Sequence, residues 1–224
     1  MRRSREDAAE TRRRIVETAS QLFRVRGITA VSVADIMGEL GLTVGGFYRH
    51  FESKEALVIE AIAAASDELV LTYAQPARGA AGRAPLSELL DRYLSSTHRD
   101  HAERGCPVAA LCADVAHESL PTKEAFTKSL RSLLEIVAGF APGDTKDAHD
   151  HRLHAVASMV GAVVLSRATS DEALADNLLR VVRDGVLRDS PRAAGKAQGR
   201  QRVPRRSRAR STRAARTPAK PRAT

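Results

Sequence analysis

The chain has 224 residues, enough for a sizeable core in one or two domains, with 36 Lys/Arg against 27 Asp/Glu, two Cys and no Trp. Two cysteines build no disulfide framework, so a reducing compartment is expected, and the arginine-bearing start lacks the apolar stretch of a signal peptide. The longest apolar run, residues 155–165, is short of the roughly 20 residues that cross a membrane, so a soluble, cytoplasmic protein with no membrane partner is expected.

The net charge of +9 averages three unlike segments. Residues 1–51 carry 9 basic and 6 acidic side chains, residues 52–189 carry 15 and 21, and residues 190–224 hold 12 Lys/Arg and no acid. Attraction to a polyanion is therefore concentrated at the two ends. In the last segment Val203 is the one large aliphatic residue, so burial cannot offset the cost of ordering it, and a disordered basic tail is expected.

Helical periodicity runs through the rest and strand alternation is rare, which predicts an all-α chain. Nine helices are expected, near residues 7–26, 33–40, 44–50, 54–74, 86–101, 107–118, 122–140, 145–168 and 171–188. In the first, Ile15, Ala19, Leu22 and Phe23 share a face and Gly27 ends it. Ser32 opens the second as an N-cap, with Asp35 as its capping-box partner, and Val33, Ile36, Met37 and Leu40 form its apolar face. Gly41 supplies a left-handed turn and Thr43 caps the third helix. Such a helix-turn-helix can place its second helix in the major groove of DNA.

Gly46-Phe47-Tyr48-Arg49-His50-Phe51, followed by Glu52-Ser53-Lys54-Glu55-Ala56-Leu57, resembles the signature of the TetR family of transcriptional repressors, and the likeness covers residues 10–60. The resemblance implies an N-terminal three-helix helix-turn-helix DNA-binding head, residues 1–52. A long helix joins it to a helical ligand-binding and dimerisation domain of about six helices, residues 53–189, with the basic tail at 190–224. It also implies a homodimer that binds double-stranded DNA at a palindromic operator and is released by a small-molecule inducer. Phosphate contacts carry over to Tyr48, His50 and Lys54.

The candidate DNA-binding set is Ser32, Thr43, Val44, Gly45, Gly46, Tyr48, Arg49, His50 and Lys54. Gly45 and Gly46 remove side chains that could read base edges but permit a close backbone approach. Readout then leans on Thr43, on the Val44 methyls, and on Arg2, Arg3 or Arg5 in the minor groove.

In the body, the Pro/Gly-rich stretch 75–85 reads as a loop. The helix at 145–168 is apolar on nearly all sides after His154, and Leu174, Leu178, Val181, Val182 and Val186 form a matching stripe. A monomer core accounts for part of this surface and an intersubunit four-helix bundle for the rest. Tyr93, Leu94, Leu111, Phe126, Leu130 and Met159 are candidate ligand-pocket residues that serve equally as core.

Cys106 precedes Pro107 at a helix start, where the helix dipole lowers a thiol pKa, so it is a candidate redox sensor, with Cys112 as an inert small hydrophobe. The stretch GCPVAAL resembles that of a subgroup of TetR-like repressors. His98 and His101, and the group His149, His151 and His154, have spacings a metal could use, but solvated helix-end histidines explain them better and no metal is expected. No catalytic motif or cofactor fingerprint occurs, so neither an enzyme nor a cofactor is expected. The function expected is a ligand-responsive transcriptional regulator that represses and is released by a small-molecule or electrophile signal. The alternative is an architectural, nucleoid-type DNA binder dominated by its tail.

Overall fold

The computed structural model describes residues 2–73, 86–141 and 143–190, with side chains from residue 5 onward, and no strand occurs among them. The helices in chain order are α1 (Arg2–Arg26), α2 (Val33–Glu39), α3 (Val44–Phe47), α4 (Lys54–Tyr73), α5 (Leu86–Tyr93), α6 (Ser96–Asp100), α7 (Pro107–Val115), α8 (Leu120–Phe140), α9 (Lys146–Ala168) and α10 (Glu172–Asp189). A 3-10 turn, Ala102–Arg104, joins α6 to α7. The expected all-α chain is what the structure shows. The expected loop at 75–85 and the basic tail past Ser190 lie outside the described residues, as do the side chains of Arg2 and Arg3.

Ile15, Ala19 and Phe23 of α1 pack against Ile36 and Met37 of α2, with Phe47 and Phe51 closing the cluster. Both halves of the Ser32 capping box form: the Asp35 N–H donates to the Ser32 hydroxyl at 3.1 Å, and the Ser32 N–H donates to the Asp35 carboxylate at 2.7 Å. Gly41 takes φ +66, the left-handed turn that lets the chain double back into α3.

Three expected helices are shorter or divided, the one at 107–118 ending at Val115. The single helix at 86–101 breaks at Leu94–Ser95, because the Ser95 hydroxyl accepts the His98 N–H at 3.1 Å and donates to Arg92 O at 2.9 Å. That hydroxyl closes one helix and caps the next. The helix at 44–50 ends at Phe47, after which the His50 N–H reaches back only three residues, to Phe47 O. Gly45 and Gly46 supply too little helix propensity to carry it further.

Helix α4 belongs to two apolar clusters. Leu57, Val58, Ala61 and Ile62 pack with the head, while Leu69 and Tyr73 pack with the body around Leu89, Leu90, Leu133 and Met159. Helix α7 does the same, sending Leu111 and Val115 to the head cluster and Val108 and Ala109 to the body. The head's apolar cluster therefore extends well beyond residue 52.

Polar contacts fasten the end of α1 to the body. Arg24 is 5% exposed. It donates to Gly105 O at 3.0 Å, to the Glu68 carboxylate at 2.7 Å and to Ser20 O at 3.2 Å. Asp114 of α7 accepts the Ile28 N–H at 2.8 Å. Gly27, at φ +83, makes the turn between these contacts, and a Cβ there would stand 2.7 Å from the Asp114 carboxylate.

Gly27→Ala is therefore expected to destabilise the protein by about 2 kcal/mol, the sum of a left-handed backbone cost and a displaced hydrogen bond. Urea unfolding should show a lower midpoint at unchanged slope. An unchanged midpoint would mean that the Asp114 anchor contributes nothing.

Candidate functional site

The short helix α3 presents its outer surface to solvent. Phe47 is fully buried and holds the helix down, stacked at 5.4 Å on Phe51 and edge-on at 5.2 Å to Tyr48. Around it, Thr43, Val44, Gly45 and Arg49 are exposed, and Tyr48 is 65% exposed. The side chains of Tyr48, Arg49 and His50 make no hydrogen bond or ion pair among the described residues. Ser32, by contrast, is committed to its capping box at the start of α2.

Thr43 departs from expectation. It occupies the N-cap position with extended backbone, φ −85 and ψ 148, but its hydroxyl makes no capping hydrogen bond. The first free N–H groups of α3 and the Thr43 hydroxyl thus face solvent together, a geometry suited to a phosphate oxygen. A Cβ on Gly45 would meet nothing within 4 Å, so no intramolecular packing requires glycine there. At Gly46 a Cβ would only touch Thr43 Oγ1 at 3.6 Å and the Met37 methyl at 3.7 Å.

Lys54 has a structural role that its sequence context did not indicate. Its ammonium donates to Ile28 O at 2.6 Å and lies 5.9 Å from the Phe23 ring, so it first serves to tie α4 to the turn after α1. An ammonium has three donors, and the remaining two stay available. Arg12 was not singled out in the sequence, yet it ion-pairs with Glu60, sits 4.4 Å over Phe51 and donates to His50 O at 3.3 Å. It positions the turn that carries Tyr48 to His50. Its i, i+48 partner has no periodic signature.

Of the six residues expected to line a ligand pocket, four are buried in the two apolar clusters. Tyr93, Leu94 and Met159 are buried in the body cluster, and Leu111 is buried in the head cluster. Phe126 and Leu130 do line an apolar groove of about 310 Å³ between α7, α8 and α9. Its other walls include Val108, Leu134, Leu153 and Val160, and the half-buried Cys112 lies on it.

The redox expectation for Cys106 fails on burial. Cys106 does cap α7 ahead of Pro107, but its side chain makes no cap bond and is fully buried. Loss of water raises its thiol pKa and outweighs the nearby Tyr93 hydroxyl, the α7 backbone donors and the Arg167 charge, all of which pull the other way. The helix-dipole argument assumed an accessible N-cap.

His98 is likewise not a solvated histidine. Its Nδ1 meets Tyr93 O at 2.6 Å, and its Nε2 accepts the Cys106 N–H at 2.9 Å. These partners require the neutral ring with the proton on Nδ1. Burial lowers its pKa to about 4, which agrees. With both nitrogens used, His98 is not placed to bind a metal. Arg167 completes the node, donating to His98 O at 2.7 Å and Arg99 O at 3.0 Å.

The family profile "Bacterial regulatory proteins, tetR family" matches residues 15–61. The helix-turn-helix transcriptional regulator TtgR of Pseudomonas putida is 43% identical over 58 residues, 26% of this chain and 28% of that protein. The likeness to TtgR is thus confined to well under two thirds of its length. An uncharacterized helix-turn-helix transcriptional regulator of Mycobacterium tuberculosis is 27% identical over 189 residues, 80% of this chain and 96% of that one. The crystal structure of a TetR-family transcriptional regulator from Streptomyces coelicolor superposes with a TM-score of 0.63 at 26% identity, covering 85% of this chain and 96% of that one.

The thiol environments imply an order of reactivity opposite to the one expected from the N-cap. Iodoacetamide at neutral pH should alkylate Cys112 first, with Cys106 labelled only once denaturant opens the body, as read by peptide mass spectrometry. Labelling of Cys106 ahead of Cys112 in the folded protein would overturn this ordering.

Proposed function

The chain belongs to the tetR family of bacterial regulatory proteins, and on that premise we propose that it is a ligand-responsive transcriptional regulator of the repressor type. It acts in the cytoplasm as a homodimer on a palindromic operator and is released by a small molecule. The observation that carries the reading is the set of solvent-facing groups on one short, well-anchored helix. The Thr43 hydroxyl and the side chains of Tyr48 and Arg49 make no hydrogen bond among the described residues, and the exposed Val44 and the side-chain-free positions Gly45 and Gly46 lie beside them. In a docked head, Thr43, Tyr48, Arg49 and His50 meet phosphates, and Lys54 adds the donors that Ile28 leaves free. The Val44 methyls meet thymine. A dimer sets two such heads about 34–36 Å apart, one turn of the duplex.

The dimer surface lies on α9 and α10. Leu165, Leu174 and Val181 are exposed there, and Val181 is 48% accessible. Val163 is fully buried and Val182 packs against the body cluster, so neither can form the outer stripe. The released state is attributed to a small apolar molecule in the groove of Phe126, Leu130 and Cys112, beside both α7 and α8. A ligand there acts on DNA through the helices it shares with the head, and the coupling is reciprocal.

Footprinting on the gene's own upstream region at physiological salt tests the reading. A discrete protected palindrome is expected, and diffuse coverage would contradict it. Arg49→Ala should lower affinity for all sequences alike and flatten the salt dependence by about one unit of slope. Thr43→Val, which keeps the shape but not the hydroxyl, should weaken binding with the slope unchanged.

Val181→Asp should give a folded monomer in light scattering, with operator affinity reduced at least about tenfold by loss of the second head. Val182→Asp should instead lower thermal stability, because it places a charge against the core. A Val181→Asp dimer of unchanged affinity would contradict the proposed interface.

A further inference from the structure

Helix α8 has a second cleft on the face opposite the apolar groove. Phe126, Leu130 and Leu134 turn toward the groove, whereas Glu124, Lys128, Ser129 and Ser132 turn toward α4 across a space of about 400 Å³. Small side chains open this space: Ala63 and Ser66 on α4 stand against Ala125 and Ser129 on α8. The two helices are held together on either side of it. Ser119 hydrogen-bonds to Glu55 at one end, and Leu69 joins Leu133 in the body cluster at the other.

Two observations separate this cleft from a mere packing gap. Ser129 is 1% exposed, lines the cleft, and its hydroxyl has no hydrogen-bond partner. A helical serine ordinarily satisfies itself on the carbonyl four residues back, as Ser132 does on Lys128 O at 3.2 Å. A buried hydroxyl without a partner is unusual in a protein interior and leaves a donor and an acceptor open at this cleft. Independently, the rim carries two carboxylates, Asp67 from α4 and Glu124 from α8, against the single ammonium of Lys128. None of these three side chains is ion-paired among the described residues. The intervening walls, Ile59, Ala63 and Ala125, are apolar.

We propose that the α4–α8 cleft is a binding site for a small amino alcohol. The ligand's ammonium meets Asp67 and Glu124 at the rim, its hydroxyl pairs with Ser129 inside, and its short methylene chain lies along Ile59, Ala63 and Ala125. A carboxylate ligand is disfavoured by the two rim acids, and burying an ammonium at the Ser129 end costs more than burying a hydroxyl there. Binding itself rests on the cleft alone; only its consequence for DNA rests on the function proposed above. An ammonium held by carboxylates from both helices ties α4 to α8, and α4 carries the head.

The experiment titrates 5-amino-1-pentanol into the full chain while following the methyl resonances of Ile59, Ala63 and Ala125 by NMR. Pentylamine and 5-hydroxypentanoate serve as matched probes. Aminopentanol is expected to shift these methyls saturably, with pentylamine about tenfold weaker for want of one hydrogen bond. Hydroxypentanoate should give no saturable shift. Ala63→Leu, at an exposed wall position, should fill the cleft and abolish binding. Ser129→Ala should reduce aminopentanol to the affinity of pentylamine while leaving pentylamine unchanged. No saturable shift at these methyls, or binding that persists unchanged in both variants, overturns the site. Repeating the titration with operator DNA separates the two readings. Aminopentanol bound at the cleft with DNA affinity unchanged upholds the site and removes it from the regulation, whereas absence of binding sinks the site and leaves the DNA reading intact.

Discussion

Everything in this chain turns on α4 being shared. Its first half closes the head cluster with Leu57, Ala61 and Ile62, and its second half closes the body cluster with Leu69 and Tyr73. A protein interior is packed too densely to absorb a shift in one place without passing it on. A displacement of α4 against the body is therefore also a displacement against α1, and hence against the helix-turn-helix. Arg24 and Asp114 make the joint stiffer, because they fasten the end of α1 and the turn after it to Gly105 and α7. The head is not a bead on a string. Its orientation is set jointly by α4, α7 and the loop at Gly105.

That loop is itself held by a buried polar node. His98 bridges Tyr93 O to the Cys106 N–H, and Arg167 holds the carbonyls of His98 and Arg99. Gly105 is needed at its centre, since a Cβ there would lie 2.8 Å from the Arg167 guanidinium and 3.1 Å from the His98 ring. The same Gly105 offers its carbonyl to Arg24. Core polar groups that are satisfied by specific partners stay in one arrangement, because every alternative leaves one of them unpaired. A neutral His98 fits this role, since a protonated ring could not accept the Cys106 N–H. The histidine and cysteine thus hold the body's loop in place against the head.

Local signals in the sequence survived where local physics decides. The Ser32–Asp35 box, the end of α1 at Gly27, the left-handed turn at Gly41 and Pro107 after Cys106 each depend on residues within a few positions, and each is found as read. The readings that failed depended on what lies across the fold. Thr43 has a capping residue's backbone without its hydrogen bond, and Cys106 loses the expected acidity because α5, α9 and the 98–105 loop bury it. The break at Ser95 was hidden by unbroken apolar periodicity from Leu86 to Leu94, which does not register a hydroxyl competing for backbone groups. Val182 and Val181 are adjacent and equally apolar, yet one packs on the body cluster and the other is exposed, and only the packing of α10 separates them.

The shortness of α3 carries a consequence for the proposed readout of DNA. One helical turn with two glycines leaves Thr43 and Val44 as the side chains nearest its start, and neither can make the paired hydrogen bonds by which Arg, Asn or Gln distinguishes one base from another. On the proposed docking, binding strength comes from phosphate contacts around the turn at Tyr48, Arg49 and His50, which are blind to base identity. Discrimination falls to what remains: methyl contacts, the duplex's own shape where the bare backbone approaches it, and the spacing of two heads. Spacing is set by how rigidly each head is joined to its dimerising body. The Arg24 and Asp114 anchors are therefore part of specificity on this reading, since a head free to pivot would accept half-sites at many separations.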